Sequence, residues 1–272
     1  MSNDMEETAT WNRNAILIFF ALTIVLHSGA ALAYSTLPIL PLMLLVPWTP
    51  NISAIIVLVL VLRKESGVRN LVRGWTKWRV GLRWYLAALS PALVVTVAVV
   101  VYHLLGGVSP GSEIPFELMT LIGYAILVVF TGATGEELGW RGFALPRLQS
   151  RFGALTASIM IGLWWGIWHA PGWVLMDTTI TTAYVSTFIL GTVTGSVFMT
   201  WLYNNTDGSL VMASLYHYSV NIFEALAVAV LGLITWEALS LINGIIYLAI
   251  SAALVIRYGA DSLSRKPPQA AS

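Results

Sequence analysis

Long apolar runs separated by short polar gaps dominate the pattern of this 272-residue chain. A helix that crosses a bilayer satisfies its own backbone hydrogen bonds and needs about 20 mostly apolar residues. Segmentation by that length predicts an all-α, polytopic membrane bundle of about eight transmembrane helices. The predicted spans are residues 13–34, 39–62, 83–106, 116–137, 155–176, 182–203, 209–231 and 235–257.

These spans form one predicted transmembrane domain, 13–257, between a cytoplasmic N-terminal segment (1–12) and a cytoplasmic, disordered tail (258–272). Residues 31–33 resemble a signal-peptidase site, but the acidic leading segment favours retention of the first span as an anchor. The second span is the least regular, because four prolines favour either a kinked helix or a re-entrant first part. They are Pro38, Pro41, Pro47 and Pro50.

The basic residues predict how the spans are oriented, because cytoplasmic loops are enriched in Lys and Arg. All 14 fall on one side of an eight-span arrangement that has both termini inside. We expect the basic, tryptophan-containing stretch 63–83 to lie as an amphipathic segment on anionic headgroups. The side chains are Arg13; Arg63, Lys64, Arg69, Arg73, Lys77, Arg79 and Arg83; Arg141, Arg147 and Arg151; and Arg257, Arg265 and Lys266.

Composition agrees with a membrane protein and excludes other classes. Hydrophobic residues make up 57% of the chain and charged residues 10%, with a mean hydropathy of +0.79, whereas soluble domains carry about 25% charge. A net charge of +1 offers no basic surface for nucleic acid. The absence of cysteine excludes disulfides, thiolate metal sites and cysteine nucleophiles. Any chemistry must come from Glu, Asp, His, Ser, Thr or Tyr.

The first polar motif is Glu136-Glu137-Leu138-Gly139-Trp140-Arg141, at the predicted cytoplasmic end of span four. An ionisable group at membrane depth costs about 2.5 to 3.5 kcal/mol on insertion scales, so it is a candidate functional residue. Glu137 and Arg141 are four residues apart and can pair on one helix face. Glu136 lies on another face without an intrahelical cation, free to act as a base. A structural ion pair at the helix end is the alternative interpretation.

The second motif places Trp165 and His169 on one face of span five. Pro171 and Gly172 follow and break the helix, as expected where the backbone opens around a cavity. A lone histidine in a membrane helix is also commonly hydrogen-bonded to a neighbouring helix. This motif alone leaves both interpretations open.

The third motif places His217 and Asn221 on one face of span seven. Both can donate hydrogen bonds and would suit an oxyanion hole, in which donors face charge that develops in the transition state. Glu224 continues this face, where it would hold His217 or a bound water. Packing between helices is the alternative.

Together the motifs resemble those of the CAAX protease and bacteriocin-processing family, whose eukaryotic members cleave prenylated CAAX tails. Glu136-Glu137-x-x-x-Arg141, Trp165-x-x-x-His169 and His217-x-x-x-Asn221 match, in order, the family's EExxxR, FxxxH and HxxxN motifs. The resemblance covers residues 136–221, whereas the first 115 residues match only as hydrophobic helices.

The resemblance implies a glutamate-dependent intramembrane endopeptidase that uses no metal or other cofactor. Glu136 and His169 would bind and activate a water molecule, and His217 and Asn221 would stabilise the tetrahedral oxyanion. The implied partners are membrane lipid and a peptide or protein substrate, with or without a lipid anchor. The expected location is a prokaryotic plasma membrane. The physiological substrate and the oligomeric state are not determined by the sequence.

Three further residues are expected to support this site. Glu137 and Arg141 would fix the helix end, and Trp165, which stands where the family has Phe, keeps an aromatic ring. His27 and His103 lack an acid nearby in sequence, so we expect structural hydrogen bonding or interfacial positions for them.

Two alternatives remain open. Glu136, His169 and His217 could surround a zinc ion in a membrane peptidase, although the chain lacks the His-Glu-x-x-His spacing. The polar cluster could also serve binding in a non-catalytic immunity or transporter-like protein, because transporters contain buried polar networks too.

Overall fold

The computed structural model describes residues 12–63, 65–113, 118–175 and 181–265. The predictions for residues 1–11 and for the last part of the tail, 266–272, lie outside these residues.

Helices account for the architecture of this part of the chain, and no strand occurs in it. The helices are α1 (Arg13–Thr36), α2 (Leu40–Val61), α3 (Glu65–Val72), α4 (Leu82–Leu104), α5 (Met119–Phe152), α6 (Ala154–Trp168), α7 (Thr182–Asn205), α8 (Leu210–Ala225) and α9 (Trp236–Tyr258). A short helix, Ala170–Leu175, follows α6 after a break at His169, and π-helical Leu226–Val230 continues α8.

Six of these helices, α1, α2, α4, α5, α7 and α9, are long and apolar enough to cross a membrane. The predicted all-α membrane bundle is therefore confirmed, and the chain is an integral, multi-pass membrane protein. The fifth and seventh predicted spans correspond to α6 and α8, whose regular α-helical parts have 15 and 16 residues. Further helical segments extend both, Ala170–Leu175 after α6 and Leu226–Val230 after α8. These two shorter helices carry the second and third motifs.

Local sequence signals explain where several helices begin. Asn12, Thr181, Ser209 and Thr235 each accept a hydrogen bond from a backbone N–H in the first turn of the helix that follows, as polar N-cap residues do. The prolines of α2 produce a 3₁₀ turn at Val46–Trp48 within a helix that otherwise continues. α2 is thus an irregular helix.

α5 differs from its predicted span, which was expected to end at residue 137. The helix continues to Phe152, so the first motif lies inside the bundle. Arg141 and Arg147, which we expected in a cytoplasmic loop, are buried. Arg141 pairs with Glu137 on the same helix, and Arg147 donates to a backbone carbonyl one turn earlier. This internal pairing keeps a polar segment in the helix, and the prediction of its end was wrong.

α2 approaches α5 closely at the first motif because glycines face it. A β-carbon on Gly135 would lie 2.9 Å from the Pro47 carbonyl oxygen, and one on Gly139 would lie 2.6 Å from the backbone of Pro50. Asn51 bridges the two helices, since its Nδ2 donates to the Thr134 carbonyl and its Oδ1 accepts from Gly139 N. Small residues four apart allow such contact between membrane helices, and here they seat α2 against the candidate site.

The segments expected on one membrane side meet at one end of the bundle. Hydrogen bonds join the stretch after α3 to the α7–α8 turn, the α5–α6 junction to the chain after α9, and that chain to the end of α7. They run from Lys77 Nζ to Asp207 O at 2.6 Å, from Ala154 N to Asp261 O at 2.8 Å and from Asn205 Nδ2 to Leu263 O at 2.9 Å. The helices from α4 to α9 therefore alternate in direction as the predicted spans do.

Candidate active site

The three sequence motifs meet at one cavity of about 160 Å³ between α5, α6, α7, α8 and α9. Its lining includes Glu136 from α5, Trp165 and His169 from the end of α6, and His217 and Asn221 from α8. Each of the four residues for which we expected a catalytic role thus borders the same space.

Glu136 is buried, at 3% exposure, and both indole N–H groups near it donate to the same carboxylate oxygen. Trp165 Nε1 lies 2.7 Å and Trp140 Nε1 lies 3.2 Å from Glu136 Oε2. These bonds fix the carboxylate plane and occupy Oε2. The second oxygen, Oε1, is left for a ligand in the cavity.

Gly132, one turn before Glu136, marks the point at which the polar groups converge. A β-carbon on this glycine would lie 2.7 Å from Asn221 Nδ2, 3.6 Å from His217 Nε2 and 3.7 Å from Glu136 Oε1. Oε1 therefore faces the two groups of α8 across the space that the missing side chain leaves. Sequence reasoning overlooked Gly132, because a helical glycine is more commonly a packing residue.

Glu137 is fully buried and links two helices through its carboxylate. Arg141 Nη1 approaches its oxygens at 3.1 and 3.2 Å, and His217 Nδ1 lies 2.7 Å from Oε1. The pairing with Arg141 is the one that the helical spacing predicts. The bond to His217, 80 residues away, was not predicted.

This bond also sets the orientation of the His217 ring. An ionised carboxylate only accepts hydrogen bonds, so Nδ1 donates and Nε2 is turned away from Glu137. Nε2 thereby faces the Gly132 gap, beside Asn221 Nδ2. The arrangement places two polar nitrogen atoms from one helix face opposite Glu136 Oε1.

His169 follows the last residue of α6, where the helix breaks as Pro171 and Gly172 predicted. Its Nδ1 lies 2.7 Å from the Trp165 carbonyl oxygen, which can only accept, so Nδ1 carries a proton and Nε2 remains an acceptor. The ring packs against Trp168, Trp173 and Phe188. These aromatic contacts hold His169 at the cavity wall.

Trp165 contacts members of all three motifs. Besides its hydrogen bond to Glu136, its ring lies 5.2 Å from the Arg141 guanidinium carbon and meets His217 edge-on at 5.0 Å. Its carbonyl oxygen holds His169. The tryptophan that replaces the family's phenylalanine therefore adds a hydrogen bond that a phenylalanine cannot make.

Glu224 lines the cavity, but its carboxylate bonds to a residue other than His217. Its Oε1 accepts from Asn243 Nδ2 of α9 at 2.9 Å. The partner of His217 is Glu137 of α5. The alternative role that we gave Glu224, holding a bound water, stays a prediction. Asn243, which sequence reasoning did not identify, is buried and has an unpaired Oδ1.

The backbone of α5 is irregular on both sides of the two glutamates. π-helical turns occupy Val129–Ala133 and Leu138–Ala144, and such turns are frequent at functional sites. Trp48 Nε1 donates to the Phe130 carbonyl and Ser214 Oγ to the Ala133 carbonyl. Side chains from α8 and from the 3₁₀ turn of α2 thus bond to backbone carbonyls of the first π-helical turn.

His27 differs from our expectation of a hydrogen bond or an interfacial position. It is buried, both ring nitrogens lack a hydrogen-bond partner, and its ring meets Trp168 edge-on at 4.3 Å. His103 Nδ1, in contrast, lies 3.0 Å from the Gly107 carbonyl oxygen, as expected for a structural histidine.

The geometry gives no support to the zinc alternative. In the part of the chain that the structure describes, no three His, Cys, Asp or Glu side chains are arranged to hold a metal ion. Glu136, His169 and His217 border the cavity without forming such a group.

Comparison with known proteins links this site to a family. The family model described as type II CAAX prenyl endopeptidase, Rce1-like, matches residues 117–223, which include all three motifs. The protein named CAAX prenyl protease 2 from Methanococcus maripaludis is 28% identical over 149 residues, covering 52% of this chain and 52% of that relative. The chain thus spans about half the length of the curated relative that it matches. Over these residues, the chain is similar to type II CAAX prenyl endopeptidases.

Proposed function

We propose that the protein is an intramembrane endopeptidase that hydrolyses a peptide bond through a water molecule activated by Glu136. The observation that carries this proposal is the meeting of Glu136, His169, His217 and Asn221 at one cavity. The names of the matching family model and relative, both prenyl peptidases, support it.

In the proposed mechanism, a water molecule binds between Glu136 Oε1 and His169 Nε2. Both atoms can accept a hydrogen bond. In Glu136 the other oxygen, Oε2, already accepts from the two tryptophans, and in His169 the other nitrogen, Nδ1, donates to the Trp165 carbonyl. Glu136 takes one proton as the water oxygen forms its bond to the scissile carbonyl carbon. The buried indole N–H donors fix the orientation of the Glu136 carboxylate, so the side chains around it need to move little during the reaction.

The negative charge that develops on the carbonyl oxygen would be stabilised from α8. Asn221 Nδ2 donates directly, and His217 donates through Nε2 when the ring carries its second proton. When the tetrahedral intermediate collapses, the C–N bond breaks and Glu136 delivers its proton to the leaving amine. The carboxyl and amine products then leave, and Glu136 is again ionised.

Glu137, Arg141 and Trp165 are proposed as positioning residues. Glu137 holds His217, Arg141 neutralises Glu137, and Trp165 holds Glu136. A charge pair that is buried and hydrogen-bonded resists rotation of either partner, since an unpaired buried charge is costly.

We further propose that the substrate is a membrane-associated or lipidated peptide or protein. A cavity lined by membrane helices is reached most easily by a chain that is already at the bilayer. A single transmembrane domain, residues 13–257, with both termini cytoplasmic in a prokaryotic plasma membrane, completes this proposal.

The decisive experiment is cleavage of a lipidated or membrane-peptide library by the purified protein and by Glu136→Gln. The amide keeps the shape of the side chain but cannot take a proton from water, so we expect cleavage to fall to background with the helical content unchanged. Glu237→Gln, at the exposed start of α9, is the matched control and should cleave normally. Cleavage retained by Glu136→Gln would contradict the base assignment, and loss of activity with a chelator would favour the zinc alternative.

A further inference from the structure

A second cavity, of about 600 Å³, opens at the end of the bundle where the stretch after α3, the α7–α8 turn and the chain after α9 meet. Its lining includes four arginines, Arg79, Arg83, Arg257 and Arg265, and one carboxylate, Asp207. The lining side chains therefore carry a surplus of three positive charges. None of these residues borders the active-site cavity.

Aromatic side chains in the same cavity hold two of the guanidinium groups. Arg83 stacks over Trp84 at 4.8 Å and Arg257 over Tyr258 at 5.7 Å. Trp201 also lines the cavity, and its ring lies 6.2 Å from that of Tyr258. Guanidinium groups that are held against aromatic rings form a set that suits anionic oxygen atoms.

The cavity lies at the level where membrane helices end. Arg83 is in the first turn of α4 and Arg257 is in the last turn of α9. Next to them, the apolar side chains Leu82, Leu86 and Ile256 are 72%, 63% and 87% exposed. A ligand with an anionic group at the arginines and hydrocarbon beside these residues would match both surfaces.

We propose that this cavity binds an anionic phospholipid, with the phosphate between Arg83 and Arg257 and an acyl chain along Leu82 and Ile256. Guanidinium groups bind phosphate oxygens with two hydrogen bonds, and basic pockets between membrane helices are suited to anionic headgroups. The exposed apolar side chains favour a lipid over free phosphate. This binding site is independent of the proteolytic function.

The test is native mass spectrometry of the delipidated protein in detergent, titrated with phosphatidylglycerol or with phosphatidylcholine of the same chains. We expect phosphatidylglycerol to bind on the order of tenfold more tightly, in a one-to-one complex. The double variant R83Q/R257Q should reduce its affinity to that of phosphatidylcholine. The matched control R69Q/R73Q removes two exposed arginines from the same side of the bundle, outside the cavity, and should bind as the original protein does.

R83K/R257K provides a second measurement that keeps all charges. It should weaken phosphatidylglycerol binding several-fold, because an ammonium group cannot make the paired hydrogen bonds of a guanidinium group to phosphate. Equal binding of the two lipids, or equal loss in R83Q/R257Q and R69Q/R73Q, would overturn the proposal. If R83Q/R257Q does not fold, unchanged affinity in R83K/R257K overturns it. Displacement of the lipid by millimolar inorganic phosphate would assign the cavity to free phosphate instead.

Discussion

At the scale of single residues, Trp165 shows how a side chain can match a motif and still add chemistry to it. The sequence comparison treats it as an aromatic equivalent of phenylalanine. In the structure its indole N–H makes the shorter of the two hydrogen bonds to Glu136 Oε2. The position of the proposed base thus depends on an atom that the usual residue of the motif lacks.

Trp165→Phe should therefore lower kcat while leaving KM nearly unchanged. Loss of a hydrogen bond to a charged group costs about 1.5 to 3 kcal/mol, which corresponds to a roughly 10- to 100-fold lower rate. The matched control is Trp164→Phe, which removes an indole hydrogen bond to Thr23 Oγ1 away from the cavity. Steady-state cleavage rates check this, and equal rates for the two variants would contradict a positioning role for Trp165.

Gly132 provides a test of the space between the two sides of the site. In Gly132→Ala the new methyl group would lie 2.7 Å from Asn221 Nδ2, which moves away because it is the end of a flexible side chain. The helix tolerates alanine, so we expect a folded protein with kcat/KM lower by about 100-fold.

Gly123→Ala is the control for this prediction, since it lies in the same helix and its methyl group would meet nothing within 4 Å. It should cleave as the original protein does and be slightly more stable, by up to about 1 kcal/mol, as alanine favours a helix over glycine. Normal cleavage by Gly132→Ala would show that no reacting group occupies this gap.

At the scale of helices, the sequence predicted most of the spans but not the course of α5. Polar residues such as Glu136, Glu137 and Arg141 are typical of a helix end at the membrane surface, so the span was ended there. Their charges instead pair within the bundle, and the helix continues to Phe152. Burial with mutual neutralisation depends on α8, which no pattern local to α5 reveals.

The close approach of α2 to α5 leads to a prediction about stability. A β-carbon in Gly139→Ala would lie 2.6 Å from backbone atoms of Pro50, which cannot rotate away as a side chain does. We expect overpacking to cost about 1 to 3 kcal/mol and to lower the Tm in detergent by several degrees.

Gly29→Ala, on an exposed face of α1 with open space around it, serves as the comparison and should leave the Tm unchanged or slightly higher. Thermal unfolding followed by circular dichroism measures both variants. The same Tm in both would mean that α2 does not rest on Gly139 in the membrane protein.

At the scale of the whole molecule, the sequence motifs predicted which residues meet but not which of them bond. The spacing of four residues predicted the contact between Glu137 and Arg141. The bond between Glu137 and His217 depends on how α5 and α8 are rotated against each other, which spacing within one helix does not determine. The same holds for Glu224, whose partner Asn243 is on another helix.

The orientation in the membrane is testable because the chain has no cysteine. A cysteine introduced for the exposed Thr76, near the α7–α8 turn, should resist an impermeant maleimide in intact cells and react after permeabilisation. One introduced for Ser112, at the end of the bundle where Gly111 N bonds to Gly232 O, should react in intact cells. Labelling measured by mass shift checks this, with full labelling of both in detergent as the control, and the reverse pattern would contradict cytoplasmic termini.

The Glu137 carboxylate joins Arg141 on its own helix to His217 on another, through bonds of 2.7 to 3.2 Å. If α5 moved along α8 by one residue, Glu137, Arg141 and His217 would lose these bonds inside the bundle, where an unpaired charge is costly. We therefore expect the two helices to move together as one rigid body. Under the proposed function, we expect the opening that admits a polypeptide to lie in the other walls of the cavity, such as α7, α9 or the break after α6.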